Sequence, residues 1–170
     1  MPTEEQKTKQ ELLVSLYEEY YDRVARYAYA RIGDRYEAED IASETFLKAL
    51  ESLNKYRDQG VPIQAWIFRI AHNLVVDYLR RATKNKELPL EIANTMNNAD
   101  PAAVAEVNME VESVKQAMKK LTEEQREVLQ LRFFGELSSR EVSDIMQKSD
   151  GAVREMQRAA LEKLRLILKE

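Results

Sequence analysis

The chain has 170 residues, of which 44% are hydrophobic and 33% are charged, and its formal net charge is −4. It contains no cysteine, one histidine, four glycines and four prolines, which excludes a disulfide framework and a thiolate metal site and favours an all-α fold. No apolar run is long enough to span a bilayer, so we expect a cytoplasmic protein without a membrane segment, a metal or a cofactor.

Three amphipathic helices are predicted in the N-terminal half, because apolar residues recur there at spacings of three and four. The first helix carries such a stripe over residues 13–28 and ends at Gly33. The second runs from about residue 36 to 53, and the third covers residues 63–81 after a loop at residues 54–62. Three stripes of this kind can bury a common core.

The third helix is the most informative element of the chain. Its apolar stripe consists of Ile63, Trp66, Ile67, Ile70, Leu74 and Tyr78. Its other faces carry Arg69, His72, Asn73, Asp77, Arg80 and Arg81. Aromatic rings beside cations and amides suit stacking on unpaired bases and contact with their phosphates. We expect Trp66 to face the core, and the lone His72 to lie at the surface or to be hydrogen-bonded, because one imidazole cannot build a metal site.

An acidic segment separates the two halves of the chain. Residues 1–84 have a net charge of −1, residues 85–112 of −5 and residues 113–170 of +2. The middle segment has little helical patterning, and its breakers and turn formers fall at residues 84–90 and 95–101. We therefore interpret residues 84–102 as a flexible acidic linker between two small domains at residues 1–83 and 103–170.

The C-terminal half contains the clearest helix start signals. After an apolar stripe over residues 104–121, capping boxes at residues 122–125 and 138–141 each open a helix, and Gly135 ends the first of these. Gln147 and Lys148 form a tight turn, and Ser149 caps a long last helix. A short helix, a tight turn and a longer helix make a helix-turn-helix, which typically reads duplex DNA.

The last helix carries the candidate duplex-reading residues. Its outward side shows Asp150, Arg154, Glu155, Gln157 and Arg158. Arg154 and Arg158 are four residues apart and share one face, and Ser149 and Gly151 bring the free N–H groups of the helix start close to a phosphate. We expect no catalytic residue, because no carboxylate pair adjoins a plausible nucleophile, a phosphate-binding loop or a ligand cluster.

Taken together, these elements resemble the small two-domain bacterial sigma factors of the extracytoplasmic-function group (group IV). The motifs that carry the resemblance to region 2 of that family are LYEEY at 16–20, AEDIASETFL at 38–47 and AWIFRIAHNL at 65–74. The motifs that carry the resemblance to region 4 are LTEEQREVLQLRF at 121–133 and SDGAVR at 149–154. Both regions occur in the family's order and at about its spacing, so the combination is far more specific than any motif alone.

The resemblance implies a non-catalytic protein that binds core RNA polymerase, recognises a promoter and helps to open it. It assigns polymerase binding to Glu39, Asp40, Glu44 and Phe46. It assigns the minus-10 element to the loop at residues 56–62 and the helix that follows, with Tyr56, Arg57, Arg69, Asn73, Arg80 and Arg81. It assigns the minus-35 duplex to the last helix, with Ser149, Gly151, Arg154, Gln157 and Arg158. An anti-sigma factor is a further partner that the family suggests, and we expect a monomer when the chain is free.

Two places in the C-terminal half depart from the family pattern. Gln147 stands in the helix-turn-helix turn where glycine is usual, and because a non-glycine residue at positive φ is strained, this turn could be tightened differently. Glu155, Met156 and Gln157 stand where relatives often carry small or basic residues, which leaves the minus-35 preference open.

Two other classes of protein compete with the sigma-factor interpretation. An operator-binding regulator would bind duplex DNA tightly without polymerase and would need a dimer to set its half-site spacing. A helical adaptor that binds only proteins would leave the Arg154 and Arg158 face and the aromatic-basic third helix without a purpose. Transcription assays with core polymerase, with and without this chain, distinguish the sigma-factor interpretation from these two alternatives.

Overall fold

The computed structural model describes residues 1, 3–56, 61–85 and 101–169, and every regular element within these ranges is a helix, which confirms the all-α prediction. The helices are α1 (Glu4–Ile32), α2 (Arg35–Ser52), α3 (Ile63–Asn85), α4 (Pro101–Lys119), α5 (Glu123–Leu129), α6 (Ser139–Met146) and α7 (Asp150–Leu168). A 3₁₀ turn at Leu53–Lys55 follows α2, and a π-helical turn at Gln130–Phe134 extends α5. None of the helices in the described ranges is long and apolar enough to cross a membrane.

The beginnings and ends of the first two helices follow from local hydrogen bonds. Thr3 and Gln6 form a capping box at the start of α1. Gly33 then takes a left-handed conformation with φ 76°, which ends α1 at the predicted residue. The side chain of Asp34 accepts hydrogen bonds from the backbone N–H groups of Tyr36 and Glu37 and so starts α2. The sharp change of direction between the two helices is therefore encoded by two adjacent residues.

The capping boxes predicted in the C-terminal half are present. Thr122 accepts a hydrogen bond of 3.1 Å from the backbone N–H of Gln125, whose side chain accepts in return from the backbone N–H of Thr122. Ser138 and Glu141 exchange the same two bonds at the start of α6. Ser149 caps α7 by accepting from the backbone N–H of Ala152. These bonds satisfy helix N–H groups that otherwise have no partner, so each helix begins at its predicted residue.

The turn between α6 and α7 is formed in a way that the sequence analysis did not anticipate. Gln147 adopts the left-handed conformation itself, with φ 56° and ψ 45°, and the backbone N–H of Lys148 donates to the carbonyl of Ser143. The expectation of a differently tightened turn was wrong. The geometry is the one that glycine usually supplies, and the surrounding helices hold a strained glutamine in it.

This strain predicts that Gln147→Gly stabilises the protein. A non-glycine residue in the left-handed region destabilises the folded state by about 1–2 kcal/mol, and Gln147→Gly removes this strain. Glycine also has more conformational freedom in the unfolded chain, which cancels roughly half of the stabilisation. We expect a small rise in the free energy of unfolding, on the order of 0.5–1 kcal/mol, measured by thermal and denaturant melting. Lys148→Gly is the matched control, because Lys148 has no positive φ and should lose stability. Equal destabilisation by both substitutions would contradict the inference that Gln147 is strained in the folded protein.

The buried side chains of the two halves form one continuous apolar cluster. Helices α1, α2 and α3 form an N-terminal bundle, and α4 to α7 form a C-terminal bundle. Phe68 of α3, Leu131 of the π-helical turn and Val142 of α6 all belong to the same cluster and are fully buried. A smaller cluster of Leu121, Leu129 and Ala160 lies within the C-terminal bundle. The two bundles therefore share a packed interface in this structure.

The predicted linker lies largely outside the described residues. Its first two residues, 84 and 85, complete α3, and its last two, 101 and 102, begin α4. The division of the chain at residues 83 and 103 stays a prediction.

Candidate nucleic-acid interface

The acidic part of α2 presents a largely exposed surface. Tyr36, Asp40, Glu44 and Leu47 recur at spacings of four and three and so share one side of the helix, which we call the α2 face. Tyr36 is 77% exposed and Leu47 56% exposed, and Asp40 and Glu44 are exposed between them. Burial raises the pKa of Glu37, and the nearby carboxylates of Asp34 and Asp40 raise it further. Such a face suits a basic partner with some apolar surface.

The basic and amide residues of α3 lie on its solvent side. Each residue of an α-helix turns by about 100°, so Arg69, Asn73 and Arg80 fall on one side, which we call the α3 face. Arg81 lies about 100° further round. Arg80 forms an ion pair with Asp77, and the guanidinium of Arg81 donates to the backbone carbonyl of Asp77. All four predicted residues are exposed, so the helix offers a row of donors suited to a nucleic-acid strand.

An aromatic pair stands at the N-terminal end of α3. The rings of Tyr56 and Trp66 are 5.1 Å apart between centroids and are tilted by 42°. The hydroxyl of Tyr56 donates to the backbone carbonyl of Val61 over 2.9 Å and so joins the two ends of the loop. Trp66 is half-buried and packs against the core, as expected. Arg57 lies outside the described residues, so its predicted role has no structural counterpart here.

The exposed side of α7 carries two arginines at its N-terminal end, Arg154 and Arg158, which we call the α7 face. Arg154 pairs with Asp150 at 3.1 Å, and its side chain is 71% exposed. Arg158 lies between Glu155 and Glu162, and its hydrogen bonds hold the pKa of Glu155 below its ordinary value. A Cβ atom added to the exposed Gly151 would meet nothing within 4 Å, so the helix start is open to a large ligand.

Comparison with known families identifies both halves of the chain. Residues 16–85 match the family model Sigma-70 region 2, and residues 117–166 match Sigma-70, region 4. The ECF RNA polymerase sigma factor SigD of Mycobacterium tuberculosis is 34% identical over 84% of this chain and 70% of its own length. RNA polymerase sigma factor YlaC of Bacillus subtilis is 31% identical over 77% of each chain. The chain belongs to the ECF RNA polymerase sigma factors.

Further relatives agree with this assignment. The ECF RNA polymerase sigma factor BldN of Streptomyces coelicolor is 34% identical over 90% of this chain, which spans 59% of BldN's length. Among solved structures, CnrH in complex with the cytosolic domain of CnrY superimposes with a TM-score of 0.66 at 23% identity, covering 94% of this chain and 89% of that chain. The sigma factor RpoE of Bartonella quintana, solved with the anti-sigma factor NepR, gives 0.66 at 20% identity, covering 96% and 98%. These two structures share the fold.

One residue assigned to polymerase binding is not at the surface of this ECF sigma factor. Phe46 is only 5% exposed, and its ring packs against Tyr17 at 5.2 Å and Tyr21 at 6.3 Å. Phe46 therefore packs in the α1–α2 interface, and its assignment to polymerase binding stays a prediction without an exposed side chain behind it. Glu39 is half-buried and lies 3.3 Å from Arg35. The exposed part of the predicted site is therefore Asp40 and Glu44.

One residue assigned to minus-35 DNA also has a partner within the protein. The side-chain oxygen of Gln157 accepts a hydrogen bond of 3.0 Å from Arg132, which also donates to the carbonyl of Leu137 over 2.6 Å. Gln157 therefore ties α7 to the segment before α6. Ser149 is exposed and serves as the N-cap, so its hydroxyl is already used by the helix.

A buried ionic cluster joins the two bundles and was not predicted. Glu127 of α5 lies 2.6 Å from Nδ1 of His72 and 3.3 Å from Arg31, and all three side chains are at most 16% exposed. We call these three residues the latch. Burial disfavours the carboxylate of Glu127, but the adjoining His72 and Arg31 outweigh it and hold its pKa below the ordinary value. Arg31 also donates to the hydroxyl of Tyr27, and burial raises the pKa of that hydroxyl, so it stays protonated.

Sequence reasoning placed His72 only as a surface or hydrogen-bonded residue and did not single out Arg31 or Glu127. These residues belong to three different helices that are remote in sequence, and nothing in the local pattern distinguishes them from other charged residues. Across the described residues, no group of three or more histidine, cysteine or carboxylate side chains could hold a metal ion.

Proposed function

We propose that this chain is an alternative sigma factor that acts in the cytoplasm. It binds core RNA polymerase, recognises the minus-35 and minus-10 promoter elements and promotes DNA melting, and it has no catalytic activity of its own. The observation that supports this most directly is a pair of exposed surfaces rich in hydrogen-bond donors, the α3 face and the α7 face. The α3 face lies in the part of the chain that matches Sigma-70 region 2, and the α7 face lies in the part that matches Sigma-70, region 4.

The chemistry of each surface suits a different binding partner. The α7 face lies beside the open N-terminal end of its helix, where free N–H groups and the helix dipole attract a phosphate. Arginine there can bind a guanine through two hydrogen bonds in the major groove. The α3 face combines cations and an amide with the Tyr56 and Trp66 rings, which suits an unpaired strand. The α2 face is acidic and is proposed to meet a basic surface of core polymerase.

The net charge of −4 is consistent with this division. A protein of that charge binds nucleic acid poorly unless a basic partner supports it or local patches outweigh the rest. Both arginines of the α7 face are neutralised by neighbouring carboxylates in the free chain. DNA must therefore displace Asp150, Glu155 or Glu162, so binding without polymerase is expected to be weak. An anti-sigma factor is proposed as a regulatory partner on the strength of the family alone.

Transcription from a promoter library with a randomised minus-35 element tests the proposal. Core polymerase with the wild-type chain should initiate at a defined set of promoters, and core polymerase alone should not. Arg154→Ala and Arg158→Ala are then compared with Lys163→Ala, which lies about 180° round α7 from Arg154. Relaxed preference at one base indicates a base contact worth about 1–3 kcal/mol, whereas a uniform fall indicates a phosphate contact.

The controls make the outcome unambiguous. Lys163→Ala should leave both the yield and the base preference unchanged. No initiation by the wild-type chain on any promoter would reject the sigma-factor function, and tight duplex binding by a dimer without polymerase would favour an operator-binding regulator. Wild-type behaviour of both arginine variants would mean that the helix-turn-helix faces something other than DNA.

A further inference from the structure

The exposed side of α7 has a carboxylate near its centre. Val153 and Ala160 are fully buried, and each residue of a helix turns by about 100°, so the direction opposite these two residues marks the centre of the exposed side. Glu155 and Arg158 lie within about 30° of that direction, whereas Arg154 lies about 70° from it. The side chain of Glu155 is 65% exposed. Glu155 is therefore better placed than Arg154 to face a large ligand on this side.

Arg158 holds the carboxylate of Glu155 in one orientation. Nη2 and Nε of Arg158 donate to the two oxygens of Glu155 over 2.6 and 3.1 Å, and Nη1 donates to Glu162 over 2.9 Å. Two parallel bonds between a guanidinium and a carboxylate fix the orientation of both groups. The same bonds hold the pKa of Glu155 below its ordinary value, so the carboxylate stays ionised and can only accept hydrogen bonds.

The two arginines of the α7 face differ in what they can still offer to a base. All three nitrogens of the Arg158 guanidinium donate to carboxylates of α7 itself. Among the described residues, Arg154 engages two of its nitrogens: Nη2 lies 3.1 Å from Asp150, and Nε donates to Ser139 over a long 3.4 Å. Arg154 is therefore the freer of the two to bind a guanine, whereas Arg158 is committed to holding Glu155.

The helix leaves room for a base beside Glu155. Side chains of a helix lean toward its N-terminus, so the side chain of Glu155 lies over the preceding turn. That turn carries Gly151, four residues earlier, where an added Cβ atom would meet nothing within 4 Å. Each carboxylate oxygen also keeps a lone pair that its bond to Arg158 does not use. A base edge that approaches Gly151 can therefore meet a fixed and ionised hydrogen-bond acceptor.

An ionised acceptor selects among the four bases. In the major groove only N4 of cytosine and N6 of adenine donate, and the amino group of adenine adjoins the N7 acceptor, which would repel a carboxylate oxygen. We propose that Glu155 determines part of the minus-35 specificity by accepting a hydrogen bond from N4 of a cytosine, and that Arg158 is its positioning residue. This inference rests on the proposed function, because it identifies a base that α7 reads in the minus-35 duplex.

Transcription with core polymerase from the randomised minus-35 library tests the base assignment. We expect the wild-type chain to prefer cytosine at one position, on the order of tenfold over the other bases. Glu155→Ala should lose this preference and still initiate, because it removes both the attraction to cytosine and the repulsion of the other bases. Glu155→Gln should change the preference to adenine, because an amide can donate to N7 and accept from N6 at once. A residue that only supports the helix would affect every promoter alike.

Further variants separate positioning from direct contact. Arg158→Ala should weaken the cytosine preference, and the double variant with Glu155→Ala should show the same base preferences as Glu155→Ala alone. Glu162→Ala is the matched control, because Glu162 binds the same arginine but lies about 10 Å further along α7, so the cytosine preference should remain. All three residues are exposed, and surface ion pairs contribute little to stability, so thermal melting of each variant should stay close to wild type.

Selection of bound duplexes from a randomised pool repeats the test without polymerase. The full chain is used at low salt, where the attraction between its cations and the phosphates is strongest, and the same cytosine should be enriched. Enrichment of that cytosine by a chain that does not support transcription would support the role of Glu155 while rejecting the sigma-factor function. The failure of one proposal is therefore distinguishable from the failure of the other.

Three results would overturn the proposal. One is base preferences that stay unchanged in both Glu155→Ala and Glu155→Gln. Another is a guanine preference that disappears with Arg158→Ala even when Glu155 is already alanine, which would mean that Arg158 reads a base itself. The third is the absence of any cytosine preference in the wild-type chain, both in transcription and in duplex selection.

Discussion

Replacing Asp40 with arginine is expected to abolish co-purification of the chain with core RNA polymerase while its thermal melting stays close to wild type. Asp40 is exposed at the centre of the α2 face, between Tyr36 and Glu44, and it has no role in the packed core. Reversing a charge at the centre of a docking surface removes one attraction and adds one repulsion. Loss of a single buried interfacial charge pair already costs about 2–5 kcal/mol, so binding should weaken by at least about thirtyfold.

Glu11→Arg provides the matched control for this prediction. It makes the same change of charge at an exposed position of α1, outside the α2 face, and should leave polymerase binding intact. Glu44→Arg should resemble Asp40→Arg, because the two carboxylates lie one helical turn apart. Undiminished polymerase binding by a folded Asp40→Arg protein would remove the α2 face from the docking surface.

Local signals in the sequence predicted the helices well because the physics that begins and ends them is local. The capping boxes at Thr122 and Ser138 each join residues three apart, and Gly33 needs only its own backbone freedom to end α1. The same holds for the apolar stripe of α3, whose period alone separates the buried Ile67 from the exposed Arg69. Each of these features can be derived from a few consecutive residues.

The surroundings of two other residues depend on contacts that no local pattern contains. Phe46 follows an acidic stretch in the sequence, but it lies on a different side of α2 and is covered by Tyr17 and Tyr21 of α1. Gln147 takes a conformation that its own preferences disfavour, because α6 and α7 around it are both capped and packed. In both cases tertiary packing decided between alternatives that the sequence leaves open.

The latch is the clearest example of this limit. Glu127 lies within a stretch rich in charged residues, and its neighbours Glu123 and Glu124 are exposed. Only the packing of α5 against α1 and α3 buries Glu127 and selects it from the others. Composition therefore predicted a charged surface correctly but could not identify which charge would be taken into the interface between the bundles.

Replacing Tyr56 with alanine is expected to reduce promoter opening while core binding stays intact. Tyr56 packs on Trp66 at the start of α3 and bonds to Val61 across the loop, so it fixes the position of the surface that is proposed to capture an unpaired base. Stacking of a base on an aromatic ring contributes roughly 1–3 kcal/mol. Permanganate reactivity of thymines in the melted region should therefore fall about tenfold with Tyr56→Ala, and a similar fall is expected for Arg57→Ala.

Tyr56→Phe separates the two possible reasons for such a fall. It keeps the ring beside Trp66 and removes only the hydrogen bond to the carbonyl of Val61. If stacking matters most, Tyr56→Phe should open promoters nearly as well as wild type, whereas a loop held by the hydroxyl predicts a defect close to that of Tyr56→Ala. Wild-type reactivity in Tyr56→Ala and Arg57→Ala alike, in complexes shown to contain polymerase, would exclude the loop from the melting step and leave Arg69 and Asn73 of the α3 face as the remaining candidates for strand capture.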